Sequence, residues 1–240
     1  MDPVYAAAYP ELYARHWWWR AREEHLLRLF RRFVPPDGKR RILDVGCGDG
    51  LLLDRLGAWG EAEGVESDAT TLSAAAAGRR IHLGPFDESY RPGKTFDLIL
   101  FLDVLEHLDD PAAALRRAHE LLAPGGAIFV SVPAFQSLWT THDTLNHHHR
   151  RYTTSLLATQ GAQAGLTVAW ARYGFFSVGL GKLLVRTREA LVTTPPRPPR
   201  VPPAPLNSLA RGIAALDLRV GDLLPLPFGS SLFALLRSKN

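Results

Sequence analysis

The sequence predicts an α/β protein built on an open, mostly parallel sheet, and three observations carry that prediction. Apolar strand-like runs recur from Arg41 onward with helical patterns between them. A glycine-rich turn, Gly46-Cys47-Gly48-Asp49-Gly50, follows the first of these runs directly, at the kind of strand end where open α/β sheets form their crevice. The chain has 240 residues, 46% of them hydrophobic and 22% charged, enough to bury one substantial core.

Taken in order, Glu11 to Val34 lacks internal Pro or Gly and carries Leu26, Leu27, Phe30 and Phe33 at helical spacing, which predicts one amphipathic helix before the sheet. Strands are expected at Arg41–Val45, Ala62–Glu66, Arg80–Leu83, Phe96–Phe101 and Ala127–Val132, with a helix over Leu51–Leu56 after the glycine turn. Asp110-Pro111 supplies an N-cap and a first-turn proline for a helix that Pro124-Gly125-Gly126 closes. Thr153-Thr154-Ser155 caps another that ends near Gly165, and strands follow at Leu166–Phe176 and Ser231–Arg237. Between those two strands the sequence reads as an apolar helix over Phe175–Val192, a crossover with seven prolines between Pro195 and Pro205, and a helix over Leu206–Leu224. One domain is expected, divided into a helical cap (1–38), a core (39–176), an insertion (177–229) and a last strand (230–240).

The formal charge of +4 permits anionic partners, yet the positive residues are dispersed, and nucleic acid is not expected. Cys47 stands alone, so no intramolecular disulfide forms. The N-terminal residues lack a basic stretch followed by an apolar core, and no run of about 18 apolar residues follows, so a cytoplasmic protein without a conventional membrane span is expected.

The glycine spacing is Gly-x-Gly-x-Gly, not the Gly-x-Gly-x-x-Gly that seats a pyrophosphate, which disfavours a nicotinamide-dependent oxidoreductase. About twenty residues later Glu66 ends the second strand with a carboxylate suited to ribose hydroxyls. Leu43 to Gly50, Glu66, Phe96-Asp97-Leu98-Ile99, Asp103-Val104-Leu105-Glu106-His107 and Leu122-Ala123-Pro124-Gly125-Gly126, in that order, resemble the motifs of class I S-adenosylmethionine-dependent methyltransferases over about residues 40 to 135. The resemblance implies a Rossmann-like, seven-stranded, doubly wound sheet with an antiparallel last strand, and S-adenosylmethionine as cofactor. It implies that Asp44 orients the loop and the methionine amino group, that Gly46, Cys47 and Gly48 pass beside the cofactor, and that Glu66 holds the ribose. Asp87 would accept from the adenine amino group, with Phe86 or Ser67 beside the ring, and Leu102 and Asp103 would flank the sulfonium. Glu106 and His107 resemble the quinone-biosynthesis methyltransferases at the same place; His107 is read equally as a site residue or as a helix boundary.

Methyl transfer needs a positioned acceptor and, for a weak nucleophile, a base. The segment Trp139 to Tyr152 follows the fifth strand and concentrates titratable groups. His142 or His147 is the expected general base, with Asp143 orienting its imidazole, while Arg150, Arg151 and Tyr152 bind the acceptor and the two guanidinium groups favour a carboxylate or phosphate on it. Adjacent histidines rarely converge on one ion, so His147 to His149 are not read as a metal site. The segment also resembles a bacterial methyltransferase subfamily of the type 11 and type 23 kind, as does His16-Trp17-Trp18-Trp19-Arg20-Ala21-Arg22. Three adjacent Trp span about 200° of a helix, so one of them, Trp18 by preference, is expected at the site mouth, or else the helix is buried against the insertion. The insertion itself is apolar with basic residues; packing or a homodimer interface explains it more simply than peripheral membrane contact, and a monomer is equally open. The expected activity is O- or C-methylation of a small or lipid-linked, anionic acceptor, against the alternative of a non-catalytic S-adenosylmethionine-binding regulatory or assembly protein.

Overall fold

The computed structural model describes residues 3–73, 76–192 and 199–239, with side chains from residue 8. Its strands are β1 (Arg40–Val45), β2 (Gly60–Glu66), β3 (Ile81–Leu83), β4 (Phe96–Leu102), β5 (Leu122–Pro133), β6 (Leu166–Gly174) and β7 (Ser231–Ser238). Its helices are α1 (Pro3–Arg15), α2 (Trp17–Phe33), α3 (Pro111–Leu121), α4 (Thr141–Leu145), α5 (Thr154–Gln163), α6 (Phe176–Leu191) and α7 (Ala204–Leu223). The chain forms two compact units, one of Val34–Val132, Tyr152–Ala171 and Phe233–Asn240, the other of Met1–Phe33, Pro133–Arg151 and Arg172–Leu232.

The sheet runs β3-β2-β1-β4-β5-β7-β6, with β1 to β5 parallel. The last strand is antiparallel, so contacts step in opposite directions along its pairing with β6, from the Lys239 N–H on the Gly165 carbonyl to the Thr167 hydroxyl on the Arg237 carbonyl. Central strands covered on both faces read as continuous apolar runs. Ile42 and Leu43 of β1, Leu98 to Phe101 of β4 and Leu232 to Leu236 of β7 are accordingly buried. Trp59, wholly buried, fixes the approach to the sheet by donating its indole N–H to the Val34 carbonyl at 2.6 Å. The Asp110 cap of α3 and the Thr153 cap of α5 form as their sequences predict, accepting from the Ala113 and Leu156 N–H groups.

Three expectations are corrected. After the glycine turn no α-helix forms at Leu51–Leu56; a 3-10 turn, Leu53–Arg55, takes its place. Fourteen residues separate β1 from β2, and the first five of them spend Gly46, Gly48 and Gly50 at positive φ in the turn, outside helical conformation. Pro124-Gly125-Gly126 does not close a helix: α3 stops at Leu121 and β5 begins at once, with a register irregularity against β4 across these residues.

The third correction concerns Glu11–Val34, which is two helices broken at His16. The His16 ring accepts the Trp18 N–H at 3.2 Å as an N-cap, and Asn207 of α7 takes the Trp17 N–H (2.9 Å) while donating to the Arg15 carbonyl (2.8 Å). Both loose helix ends are thus satisfied by one side chain nearly two hundred residues away in sequence. In this unit α2 packs on α7 and α1, and α6 on α7. The proline-rich crossover lies partly outside the described residues, at 193–198. Among the described residues no helix is long and apolar enough to cross a membrane.

Candidate active site

The carboxyl ends of β1, β2 and β4 bring the cofactor candidates together. At β1, Asp44 is buried and the chain turns through Gly46 (φ 69°) and Gly48 (φ 53°), left-handed conformations that side chains resist. The Gly46 and Cys47 N–H groups donate to the Val65 carbonyl, at 2.8 and 3.2 Å. A Cβ on Gly46 would lie 2.7 Å from a Val104 methyl, whereas one on Gly48 would meet nothing within 4 Å. The loop is therefore pressed against the β4 side at its first glycine and open at its second.

Glu66, buried at the end of β2, accepts the Gly48 N–H at 2.8 Å with one oxygen and the Asp68 N–H at 2.9 Å with the other. Each oxygen keeps a second lone pair, which suits it to a vicinal diol. Cys47 packs its sulfur against Gly64, and burial, with the charges of Asp44 and Glu66, pushes its thiol well above the usual range. Its sulfur packs against the β2 backbone beside the loop.

At β4, Asp103 holds a positive φ of 61° and donates its N–H to the Ser131 carbonyl at 2.7 Å, a strained conformation of the kind that gathers at ligand sites. Leu102 and His107 are half-buried, and His107 ends a short 3-10 turn that begins at Leu105. Phe86 is half-buried, edge-on to Phe101 at 5.8 Å. Asp87 is exposed and uses one oxygen on the Ser89 N–H and hydroxyl, whose hydrogen bonds hold it below the ordinary carboxylate range. Ser67 is exposed.

The acceptor candidates are arranged differently from expectation. Asp143 is fully buried in a capping box with Thr140 at the start of α4. Its imidazole partner is neither His142 nor His147 but His148, whose Nδ1 lies 2.9 Å from Oδ1. Burial alone would raise the Asp143 carboxyl; the His148 hydrogen bond and the charges of Lys182 and Arg151 outweigh it and hold the group well below its usual value. The sequence signal for this hub was the Thr140-x-x-Asp143 spacing, which fixes the aspartate inward.

His142 packs against Asn146, and burial, with Lys182 nearby, lowers it to about 4, leaving it neutral. His147 is exposed at φ 56° and contacts neither of the expected partners in any hydrogen bond seen. Arg151, expected to face the acceptor, is buried and spends its donors on the Ala134, Leu138 and Ser230 carbonyls and on Asp143; the Ser230 carbonyl also accepts the Ala134 N–H at 2.9 Å. Tyr152 is likewise structural, wholly buried with its hydroxyl donating to the Leu105 carbonyl at 3.1 Å. Arg150 is half-buried. Trp18 stacks on Phe175 at 5.7 Å under the Arg22 guanidinium, and Trp19 is buried beside it.

A family model described as a methyltransferase domain matches residues 18–170. Among curated proteins the chain is 30% identical over 145 residues to a ubiquinone biosynthesis O-methyltransferase of Ruegeria pomeroyi, covering 55% of this chain and 53% of that one. It is 29% identical over 185 residues to the protein of the same name from Thiobacillus denitrificans, covering 68% and 70%. The chain thus spans about half the length of several of the curated relatives it matches. A solved structure with the same fold is the putative methyltransferase of the Haloferax volcanii Trm112 activator complex, at TM-score 0.61 and 18% identity, covering 99% of this chain and 95% of that one. The glycine loop, the Glu66 clamp and the family match agree, and the chain belongs to the S-adenosylmethionine-dependent methyltransferases of the class I fold.

Proposed function

We propose that the protein methylates an oxygen of a small or lipid-linked acceptor, with His148 as general base and Asp143 as the group that orients it. The observation that carries this reading is the 2.9 Å bond from His148 Nδ1 to a buried carboxylate, which leaves Nε2 as the proton-accepting nitrogen. The Asp143 carboxylate is itself fixed by Arg151 at 3.0 Å, and the oriented imidazole would take the proton that the acceptor hydroxyl gives up. The names of the curated relatives point to oxygen as the atom and to an isoprenoid-tailed aromatic as the acceptor class. Arg151 is committed to the chain, and Arg150, half-buried next to it, is the guanidinium we assign to an acceptor anion.

The residues of the loop fit the cofactor of the family. Glu66 offers two positioned carboxylate oxygens to the ribose, Asp44 a buried acid for the amino group, and Phe86 an apolar ring for the adenine, with Asp87 keeping one oxygen for its amino group. When bound, S-adenosylmethionine supplies an electrophilic methyl group on a sulfonium. Leu102 and Asp103 would lie beside the sulfonium and Gly46 and Gly48 would allow close approach, with half-buried His107 at the end of the turn that follows.

The test is calorimetric titration with S-adenosylhomocysteine for wild type and Glu66→Ala, followed by a screen of catechols with and without isoprenoid tails. Micromolar binding weakened about ten-fold in Glu66→Ala, with methylation of a catechol lost in His148→Gln, supports the reading. Methylation that survives His148→Gln at full rate overturns the assignment of the base.

A further inference from the structure

Surface helices of soluble proteins turn polar residues to water; α6 does the reverse. Its underside is charged: Lys182 lies 3.8 Å from Asp143, Arg186 donates to the Ser137 carbonyl at 2.5 Å, and Glu189 accepts from Thr141 N–H and hydroxyl at 3.1 and 2.7 Å. Spaced four and three residues apart, these three define the inward stripe, and the opposite stripe holds Leu180, Leu184 and Leu191, the last two 74% and 81% exposed. A polar underside and an apolar exterior are what a helix needs when its outer medium is not water.

Its neighbour α7 repeats the arrangement on a larger scale. It buries Ala214, Leu218 and Gly221 and packs on α2 and α6. Its outward stripe is Leu206, Leu209, Ile213, Leu216, Val220 and Leu223, spaced three and four residues alternately over the whole helix, with Leu216 64% and Leu223 81% exposed. Neither helix is long and apolar enough to span a bilayer, so an apolar medium could be met only side-on.

The charges decide between the media that could cover such a face. The acids of this region are turned to partners within the unit: Glu189 to Thr141, Asp217 to the Phe176 and Ser177 N–H groups, and Asp222 to Arg28 at 3.5 Å. Arg188 and Arg219 are exposed, beside the leucines. A second copy docked through this face would bring arginines toward arginines with no outward acid among the described residues to answer them, whereas an anionic lipid surface answers each one.

We propose that α6 and α7 form a membrane-docking face that lies in the interface of an anionic bilayer, with their leucines among the acyl chains and Arg188 and Arg219 at the headgroups. This holds whichever acceptor is methylated, and its test does not use the reaction. The full chain is floated with vesicles of phosphatidylcholine alone and of phosphatidylcholine with phosphatidylglycerol, at low and high salt. Binding to the phosphatidylglycerol vesicles is expected, weakened by salt, lowered more than ten-fold in Leu184→Ser/Leu216→Ser/Leu223→Ser, and lowered about five-fold for each of Arg188→Ala and Arg219→Ala. S-adenosylhomocysteine affinity unchanged in each variant shows that it is folded; a variant that loses it is replaced by the single substitution Leu216→Ser, expected to fall several-fold in vesicle binding. No flotation of wild type, or equal flotation of the leucine variants, overturns the proposal. So does a sedimentation coefficient that drops from dimer to monomer on the leucine substitutions, which would give the face to a second copy of the chain.

Discussion

His148 Nδ1 and Asp143 Oδ1 lie 2.9 Å apart, and the same carboxylate carries the buried guanidinium of Arg151. One acid thus serves an imidazole and a structural ion pair, and substitutions separate the two duties. His148→Gln removes only the base: a rate loss of about 10²- to 10⁴-fold is expected with an acceptor hydroxyl, with S-adenosylhomocysteine affinity unchanged. Asp143→Asn leaves Arg151 buried without its counter-charge, so unfolding in urea should show a loss of about 3 to 5 kcal/mol besides the rate loss. Equal stability of Asp143→Asn and wild type would remove Arg151 from the account of this hub.

Gly46 is the tightest point of the cofactor loop. Gly46→Ala meets two costs, a left-handed φ of 69° and a Val104 methyl 2.7 Å from the new carbon. The first costs about 1 to 2 kcal/mol and the second is relieved by moving valine. Titration with S-adenosylhomocysteine should therefore show Gly46→Ala weakened by more than ten-fold and Gly46→Ala/Val104→Ala partly recovered. Full recovery would mean that the backbone conformation at Gly46 is not needed for binding.

The strands were legible because β1, β4 and β7 are buried on both faces and their apolar runs carry no competing signal. The connections were not. Leu51–Leu56 has helical composition, but it follows Gly46, Gly48 and Gly50 at positive φ, and a 3-10 turn forms there in place of a helix. The break at His16 has no local signal either, because the groups that satisfy it belong to Asn207. On the cofactor side, the glycines and Glu66 come together as their spacing suggests, because one loop and one strand end hold them. On the acceptor side, adjacent histidines point in different directions over a single turn, so the sequence suggested a pairing of Asp143 with an imidazole but not that the ring is that of His148.

Asn207 makes a long-range test of that break. Asn207→Leu keeps the branched shape of the side chain while removing the donor to Arg15 and the acceptor from Trp17. Two backbone groups lose their partners in a partly buried setting, so a loss of about 1 to 3 kcal/mol is expected in urea unfolding. Hydrogen exchange should quicken at Trp17 and at the end of α1 more than in the sheet. Uniform quickening throughout would show the loss to be global, not a loosening of the α1 to α2 junction.

His25 sets the acid limit of stability. It is buried on α2, and its Nδ1 accepts from Arg28 at 3.0 Å, so protonation would both break that bond and set two cations together, although Asp222 lies 3.7 Å away. Burial first, then Arg28 and Arg22, lowers its pKa to about 3, from near 6.5 in an unfolded chain. Above about pH 6.5 the ring is neutral in both states and titration adds nothing. Below it the unfolded chain binds a proton that the native protein refuses, so stability falls with pH until the native ring also titrates, near pH 3. Between pH 7 and pH 5 this amounts to about 2 kcal/mol. His25→Gln keeps an oxygen for Arg28 and does not titrate, so its urea midpoint should be flatter over that interval than that of wild type, with the two curves diverging as the pH is lowered. Parallel curves would mean that the native ring takes up its proton as readily as the unfolded chain does, with Asp222 holding the imidazolium and the Arg28 bond given up.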